Sequence, residues 1–237
     1  MENGNVAGKA RKAPIRRLLK IVLTASVMLV AVIQILGWAW RFSGTNQWEL
    51  FGERKGVRVY TLKTPGSDLN KFKCVFRVRS TLSGLVRLMQ DPDACDDLQC
   101  YGSRIIEKVD DHLQYATFRY KFDRPFRPRE YVVRTEIHQN ALTKEVLVSY
   151  SAALGKIPPD DCCFRVSDFN NAWRLTPLGN GQVDVEYTVN MDEGGLVPNV
   201  IANRARPKFL LIALRHLQKI LDKDKYRNAK LAFIQER

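Results

Sequence analysis

The most regular pattern along this chain is an alternation of apolar and polar residues. It recurs in four segments, which run from Phe72 to Val78, Ala116 to Phe122, Tyr131 to Ile137 and Val183 to Val189. Because side chains alternate along a strand, this pattern gathers the apolar ones on one face. It is typical of antiparallel strands with one buried and one solvated face. Shorter strands are predicted near 48–53, 57–62, 104–109, 145–151, 163–168 and 171–177.

Two other segments have the spacing of amphipathic helices. The first is Thr81–Gln90, where Thr81 is a candidate N-cap. The second runs from about Pro198 to Leu221 and contains an apolar run from Phe209 to Leu214. Pro207 should bend or break this helix, because proline lacks the backbone N–H that a helix interior needs. The elements predict an α+β fold, in which a curved antiparallel sheet wraps around one long C-terminal helix.

Residues 21–40 contain no charged side chain. A helix of that length spans about 30 Å, the thickness of the hydrocarbon core of a bilayer. Six lysines and arginines precede it, and basic residues mark the cytoplasmic end of a span. We expect a basic cytoplasmic segment over 1–20, a transmembrane signal-anchor helix over 21–40 and an extracytoplasmic domain over 42–237, which in a bacterium would be periplasmic. A cleaved signal peptide is the alternative, but its apolar region is usually shorter.

The net charge of +13 is concentrated at the two ends of the chain. Residues 1–41 hold seven basic and one acidic side chain, residues 204–237 hold ten and three, and residues 42–203 are neutral in sum. A neutral body argues against a nucleic-acid partner, which would require basic residues spread over a face. Basic residues beside a bilayer suit anionic headgroups, so we expect membrane docking through Arg204, Arg206 and Lys208.

The five cysteines and three histidines offer little catalytic chemistry. Cys95 and Cys100 are close enough in sequence for a disulfide, while the alternative is five thiols with Cys74 buried as a small apolar side chain. The histidines lie in different predicted elements and have no metal-ligand spacing, and no common hydrolase, metalloprotease or phosphate-binding motif occurs. We therefore expect neither catalytic residues nor a metal or cofactor.

Six short motifs, in order, resemble the START domain, the lipid-transfer domain related to steroidogenic acute regulatory protein. The similarity covers about Trp48 to Leu221, and Glu130 stands where the family usually has aspartate. The motifs are Trp48-Glu49-Leu50, Lys55 to Tyr60 (KGVRVY), Lys71-Phe72-Lys73, Pro125 to Val132 (PFRPREYV), Trp173 to Leu178 (WRLTPL) and Asp192 to Pro198 (DEGGLVP).

The resemblance implies the helix-grip fold and a tunnel for one apolar lipid, such as a sterol or phospholipid, between the sheet and the C-terminal helix. The charged cavity pair of cholesterol-binding members would fall near Ala116 and Thr135, and neither residue is charged, which disfavours a sterol held in that way. The alternatives are a solid core, an anchored scaffold for a protein partner and a helix-grip enzyme acting on a hydrophobic substrate. The residues we assign to the tunnel and its gate are Phe118, Tyr120, Tyr131, Val133, Thr135, Tyr187, Leu196, Val197, Ile201, Phe209, Leu210, Ala213, Leu214 and Leu217.

Overall fold

The computed structural model describes residues 12–195 and 197–237. The helices are α1 (Lys12–Phe42), α2 (Leu82–Gln90), α3 (Asn199–Ala213), α4 (Leu217–Leu221) and α5 (Asp224–Arg227). The strands are β1 (Trp48–Arg54), β2 (Val57–Leu62), β3 (Lys71–Arg79), β4 (Cys100–Lys108), β5 (Leu113–Tyr120), β6 (Arg129–Gln139), β7 (Val146–Ala152), β8 (Phe164–Arg165), β9 (Asp168–Pro177), β10 (Gln182–Val189) and β11 (Met191–Asp192).

Nine of these strands form one antiparallel sheet in the order β1-β2-β3-β10-β9-β7-β6-β5-β4. Within the part of the chain that the structure describes, the edge strands β1 and β4 do not pair, so the sheet stays open. The strand expected over 163–168 is shorter than predicted, because only β8 pairs there, in parallel with the start of β6. The predicted strand over 57–62 is confirmed as β2.

The alternating residues face the interior as predicted. Phe72, Cys74, Phe76 and Val78 on β3 are all buried, and β10 adds Val183, Val185 and Val189 to the same face. The helix α2 covers part of this face with Leu82 and Leu85, and the predicted N-cap is confirmed, since the Thr81 hydroxyl accepts a hydrogen bond from Gly84 N (3.0 Å). The open antiparallel sheet with a C-terminal helix confirms the predicted α+β class.

The C-terminal helix is not broken at Pro207, which was one of the two outcomes predicted there. Pro207 lies inside α3 and does not end it. The regular α-helix instead ends at Ala213, where a 3₁₀ turn over Leu214–His216 leads directly into α4. Asn203, four residues before Pro207, is fixed from outside the helix: its side-chain amide bonds to Asp68 O and to Asn70 N, both at 2.9 Å. This tertiary anchoring holds the turn in which proline removes a backbone hydrogen bond.

The N-terminal helix α1 stands apart from the domain. Within its stretch Ile15–Phe42, an 18-residue window has a mean hydropathy of 2.3 and is not buried against the rest of the chain, so the helix is long and apolar enough to cross a membrane. Its last turn is bonded to the loop between β2 and β3: Gly66 N and the Lys63 ammonium both donate to Arg41 O, at 2.8 and 3.1 Å. Residues 1–11 of the expected basic segment lie outside the described residues.

Four of the five cysteines form disulfides. Cys95 pairs with Cys100, as the short sequence separation allowed, and Cys162 pairs with its neighbour Cys163, a pairing that sequence reasoning did not suggest. Cys74 is a buried free thiol on β3. Burial raises the pKa of this thiol from 9.0 to about 12, so it is protonated at neutral pH. The alternative of five thiols is therefore wrong, although its expectation of a buried Cys74 is correct.

Candidate lipid site: an aromatic interior on the inner face of the sheet

The inner face of the sheet carries two hydrophobic clusters. The larger one, here called the solid core, includes Val59, Phe72, Leu85 and Leu175, which have no exposed surface. The smaller one, here called the aromatic interior, has Tyr131, Val133, Val166 and Phe169 at its centre. Tyr150 and Met191 pack against both clusters and join them. Around the aromatic interior lie further side chains that are only partly buried: Ala116, Phe118, Tyr120 and Ala152.

The strand register brings the aromatic rings together. Phe118 on β5 is directly opposite Tyr131 on β6, and their rings stack with centroids 5.2 Å apart. Tyr120 and Phe169 meet the Tyr131 ring edge to face, at 5.9 and 5.7 Å. Such offset and edge-to-face contacts are the geometries that aromatic pairs prefer. On β10, Tyr187 extends the aromatic wall, because it stacks on Trp173 of β9 at 4.2 Å.

These rings are partly accessible to solvent, and yet their phenols are strongly desolvated. Phe118, Tyr120, Tyr150 and Tyr187 all keep accessible surface, although they point to the inner face of the sheet. The phenols are nevertheless strongly desolvated: burial raises the pKa of Tyr120 to about 12 and raises the pKa of Tyr150 and Tyr187 well above the ordinary value. The aromatic interior is therefore less completely packed than the solid core, although its phenols are shielded from bulk water.

The structure gathers five of the predicted tunnel residues on two neighbouring strands. Phe118 and Tyr120 lie on β5, and Tyr131, Val133 and Thr135 lie on β6 with their side chains on the same face. These two strands also bring Gln114 opposite Thr135, and both polar side chains are buried. Sequence reasoning missed Gln114, Tyr150 and Phe169, although alternation with Ala116 marked the inward face of Gln114.

Only part of the predicted helix surface faces the sheet. Leu210 and Leu217 are buried, Ala213, Leu214 and Val197 are partly buried, and Leu196 lies outside the described residues. Ile201 and Phe209 instead point outward, with 50% and 47% of their surface exposed. Successive residues of an α-helix point about 100° apart, so Phe209 turns away when Leu210 turns in. Neither side chain faces the sheet in this structure, and their assignment to the tunnel and its gate stays a prediction.

Arg206 is also placed differently from the prediction. It is 6% exposed, donates from Nη1 to Met191 O (3.0 Å) and holds Nη2 3.1 Å from Glu193 Oε1. The prediction that Arg206 docks on the membrane surface is therefore wrong, because its side chain is buried. Arg204 and Lys208 are exposed, because residues four apart share one face of a helix whereas Arg206 lies opposite them. The spacing of four residues between Arg204 and Lys208 could have predicted from the sequence that Arg206 lies on the opposite face of the helix.

The loop before α3 is held by a buried arginine. Arg129 is 1% exposed, and it donates from Nε to Glu193 O (2.8 Å) and from Nη2 to Gly194 O (3.0 Å). Gly194 has a φ of 60°, and a Cβ there would lie 2.4 Å from the Phe164 ring, so the backbone conformation and the close approach both require glycine. The geometry of this loop thus depends on Arg129. The motif from Pro125 to Val132 contains Arg129, but the motif alone did not predict that it holds the loop before α3.

A buried carboxylate, Glu130, lies on the outer face of the sheet. Glu130 accepts from Arg119 Nη2 (3.2 Å) and from Arg165 Nη2 (2.6 Å), and Arg119 also pairs with Asp160 at 2.7 Å. Because neighbouring strand residues point to opposite faces, Glu130 points away from the aromatic interior that Tyr131 enters. This network ties the segment around β8 to the sheet. Among the described residues, no three His, Cys, Asp or Glu side chains are grouped in a way that could hold a metal ion.

Comparison with known proteins identifies the architecture. No model of a known protein family matches the chain. An uncharacterized protein of Pseudomonas aeruginosa is 23% identical over 183 residues, which make up 77% of this chain and 88% of that protein.

Among solved structures, the STAR-related lipid transfer protein of Xanthomonas axonopodis matches with a TM-score of 0.65 and 24% identity, over 73% of this chain and 98% of that one. Human STARD10 matches with a TM-score of 0.66 and 15% identity, over 75% and 74% of the two chains. Human StAR-related lipid transfer protein 5 matches with a TM-score of 0.62 and 18% identity, over 84% and 96%. The chain therefore has the helix-grip fold of the STAR-related lipid transfer domains.

Proposed function

We propose that this protein binds one apolar lipid in the aromatic interior and transfers it at the surface of a membrane. The observation that carries this proposal is the set of desolvated yet accessible rings, with Tyr120, Tyr150 and Tyr187 as its clearest members. The names of the similar structures, which include lipid transfer proteins, support the same class of ligand. Sterols, phospholipids and related molecules are all compatible with a wall that is mainly apolar.

The expected affinity follows from buried apolar surface. Each Å² of apolar surface removed from water stabilises a complex by roughly 25 cal/mol, so about 400 Å² of acyl chain would contribute roughly 10 kcal/mol before the cost of association. A ligand of this kind needs few polar contacts. We propose binding rather than catalysis because His112, His138 and His216 are exposed, and none of them lines the aromatic interior.

We further propose that α1 anchors the domain to the membrane whose lipid it binds. In this arrangement the N-terminus is cytoplasmic and the domain is extracytoplasmic, which in a bacterium is the periplasm, because basic residues precede the apolar helix. The exposed Arg204 and Lys208 of α3 would contact anionic headgroups, each contributing roughly 1 kcal/mol. Movement of α3 about Gly194 and Gly195 would open the interior, since a lipid enclosed between sheet and helix cannot leave while both stay in place.

A pair of substitutions tests lipid binding. Ala116 is partly buried and packs against the aromatic interior, whereas Ile212 of α3 is 45% exposed, so Ala116→Trp should fill the interior while Ile212→Trp adds the same ring outside. The full chain is placed in nanodiscs, and uptake of a fluorescent fatty acid and a fluorescent phospholipid is measured. We expect one probe per wild-type chain, a similar value for Ile212→Trp and a clear loss for Ala116→Trp. Equal uptake by both variants, or no uptake by the wild type, would contradict the proposal.

A further inference from the structure

Arg206 carries hydrogen-bond donors that the protein does not use. Its side chain is 5% exposed, and within residues 12–195 and 197–237 its Nε and Nη2 atoms are buried without a hydrogen-bond partner. Nη2 lies 3.1 Å from Glu193 Oε1, but that contact lacks the alignment of a hydrogen bond. Buried guanidinium donors are normally satisfied, because leaving them unpaired costs more than an ordinary hydrogen bond contributes.

The guanidinium of Arg206 lies where the solid core meets the aromatic interior. It is 5.8 Å from the centre of the Phe72 ring in the solid core and bonds to the backbone of Met191, whose side chain packs against both clusters. The Tyr131 hydroxyl points to the sulfur of the same Met191, at 3.8 Å. Arg206 and Glu193 also both act on the pKa of Tyr131, which burial raises well above its usual range, so this phenol is a donor at neutral pH.

The carboxylates around Arg206 leave its donors available. Asp192 accepts a hydrogen bond from Gly194 N (2.7 Å), and Glu130 is paired with Arg119 and Arg165. Of these nearby carboxylates, Glu193 is the one within ion-pair distance of Arg206, and it leaves Nε and Nη2 without a hydrogen bond. Unused guanidinium donors suit the oxygens of an anionic ligand.

We propose that Arg206 and Tyr131 form a headgroup subsite that binds the anionic oxygens of a lipid carboxylate or phosphate monoester. This inference deepens the proposed lipid binding and rests on it. The Nε and Nη2 hydrogens lie on one edge of the planar guanidinium and match two oxygens of such a group, while the Tyr131 hydroxyl supplies a third donor. The acyl chain of the ligand would then extend along Phe118 and Tyr120. The bound lipid is thus selected by its acidic headgroup as well as by its chain.

Three probes with the same dye and the same acyl chain test the subsite. One ends in a carboxylate, one in a phosphate monoester and one in an uncharged alcohol, and each is titrated against the full chain in nanodiscs of a neutral phospholipid. The wild type should bind at least one acidic probe about tenfold or more tightly than the alcohol, since hydrogen bonds between charged groups are among the stronger ones. The acidic probe that binds more tightly distinguishes a carboxylate from a phosphate ligand.

The decisive variant is Arg206→Met, which keeps the length of the side chain and removes its donors. We expect affinity for the preferred acidic probe to fall about tenfold or more, while affinity for the alcohol changes less than twofold. Lys219→Met, which removes an exposed charge from α4, should change neither value. Because Arg206→Met leaves Glu193 without its partner, the double variant with Glu193→Gln is measured beside it and should show the same selective loss.

The single variant Glu193→Gln gives an independent result. It removes the carboxylate that competes for the guanidinium, so affinity for the acidic probe should rise several-fold. Equal losses for all three probes in the Arg206→Met variants, or no loss for any probe, would overturn the subsite while leaving lipid binding intact. Failure of the wild type to bind any probe, the alcohol included, would instead overturn the proposed function together with this inference.

Discussion

The solid core and the aromatic interior share one sheet face and one alternating pattern, yet they differ in how completely they are covered. In the solid core, aliphatic side chains such as Val59 and Leu175 meet Leu85 of α2 and have no exposed surface. In the aromatic interior, flat rings such as Phe118 and Tyr120 keep accessible surface, while the buried leucines Leu210 and Leu217 of the C-terminal helices pack against the solid core instead. The same strand pattern can thus produce a stabilising core at one place and a partly uncovered aromatic wall at another, depending on how completely helices cover it.

The largest expected effect comes from truncating the solid core. Leu85→Ala should reduce the free energy of unfolding by about 2–5 kcal/mol, because a fully buried leucine leaves a cavity that the packed surroundings cannot fill. Phe118→Ala removes a larger side chain but should cost less, since Phe118 is only partly buried. Denaturant unfolding of both variants in detergent measures the difference. A cost for Phe118→Ala as large as that for Leu85→Ala would remove the distinction between the two regions.

The ionisation of the Cys74 thiol at alkaline pH tests how well the solid core excludes water. Its pKa rises from 9.0 to about 12 on burial, so the folded state holds the proton more tightly than the unfolded state. This contribution to stability is fully present below pH 9 and is lost as the pH rises towards 12, by up to about 1.4 kcal/mol per pH unit. Between pH 8 and 10.5, the wild type should therefore lose about 2 kcal/mol more than Cys74→Val. Parallel losses in the two proteins would show that the thiol is not desolvated.

A smaller effect on stability is expected at Glu236, near the C-terminus, which binds the first turn of α2 beside the solid core. The Glu236 carboxylate accepts hydrogen bonds from Leu82 N and Ser83 N, both at 2.9 Å, at the first turn of α2. A negative charge at a helix N-terminus is favourable, so Glu236→Gln should destabilise the protein by about 1 kcal/mol and Lys230→Gln, at an exposed position, should not. Thermal unfolding of the two variants at low ionic strength provides the test, and equal melting temperatures would contradict it.

The smallest effect is expected inside the aromatic interior. The Tyr120 hydroxyl makes no hydrogen bond to another side chain or backbone atom among the described residues, and its ring contacts Phe118 and Tyr131 through carbon. Tyr120→Phe should therefore change the free energy of unfolding by less than about 0.5 kcal/mol. A loss above 1 kcal/mol, measured in the same denaturant series, would reveal a bond to the hydroxyl and a more tightly packed interior than we describe.

Much of this fold could be predicted from periodicity, because every second residue of an amphipathic strand must face the core. That rule identified Phe72 to Val78 and Val183 to Val189, and helical spacing with an N-cap identified α2. It could not show that Phe118 and Tyr120 stay partly accessible, since accessibility depends on how closely a distant helix approaches. The end of α3 at Ala213 rather than at Pro207 likewise depends on tertiary contacts, in this case the bonds between Asn203 and the loop at Asp68.

The candidate site was predicted less well than the fold, and Arg206 shows why. In sequence it is one of three similar basic residues, and helical spacing rather than charge distinguishes it from Arg204 and Lys208. Its partner Glu193 and the carbonyl of Met191 lie in a loop whose path depends on glycines and on Arg129. A buried arginine and an exposed one can have similar sequence neighbours. Charge composition alone therefore cannot distinguish a residue proposed to bind a lipid headgroup inside the domain from one proposed to dock on the membrane surface.

The junction between α1 and the domain has a consequence for kinetics under the proposed anchoring. Only residues 43–47 separate α1 from β1, and five extended residues reach at most about 17 Å. Gly66 and Lys63 further bond the loop between β2 and β3 to the last turn of α1. A domain held so closely meets its bilayer at a high effective concentration, as an intramolecular event. Lipid uptake should then be first order and unaffected by dilution of the protein, while delivery to a second membrane would require the two bilayers to come within the reach of the domain.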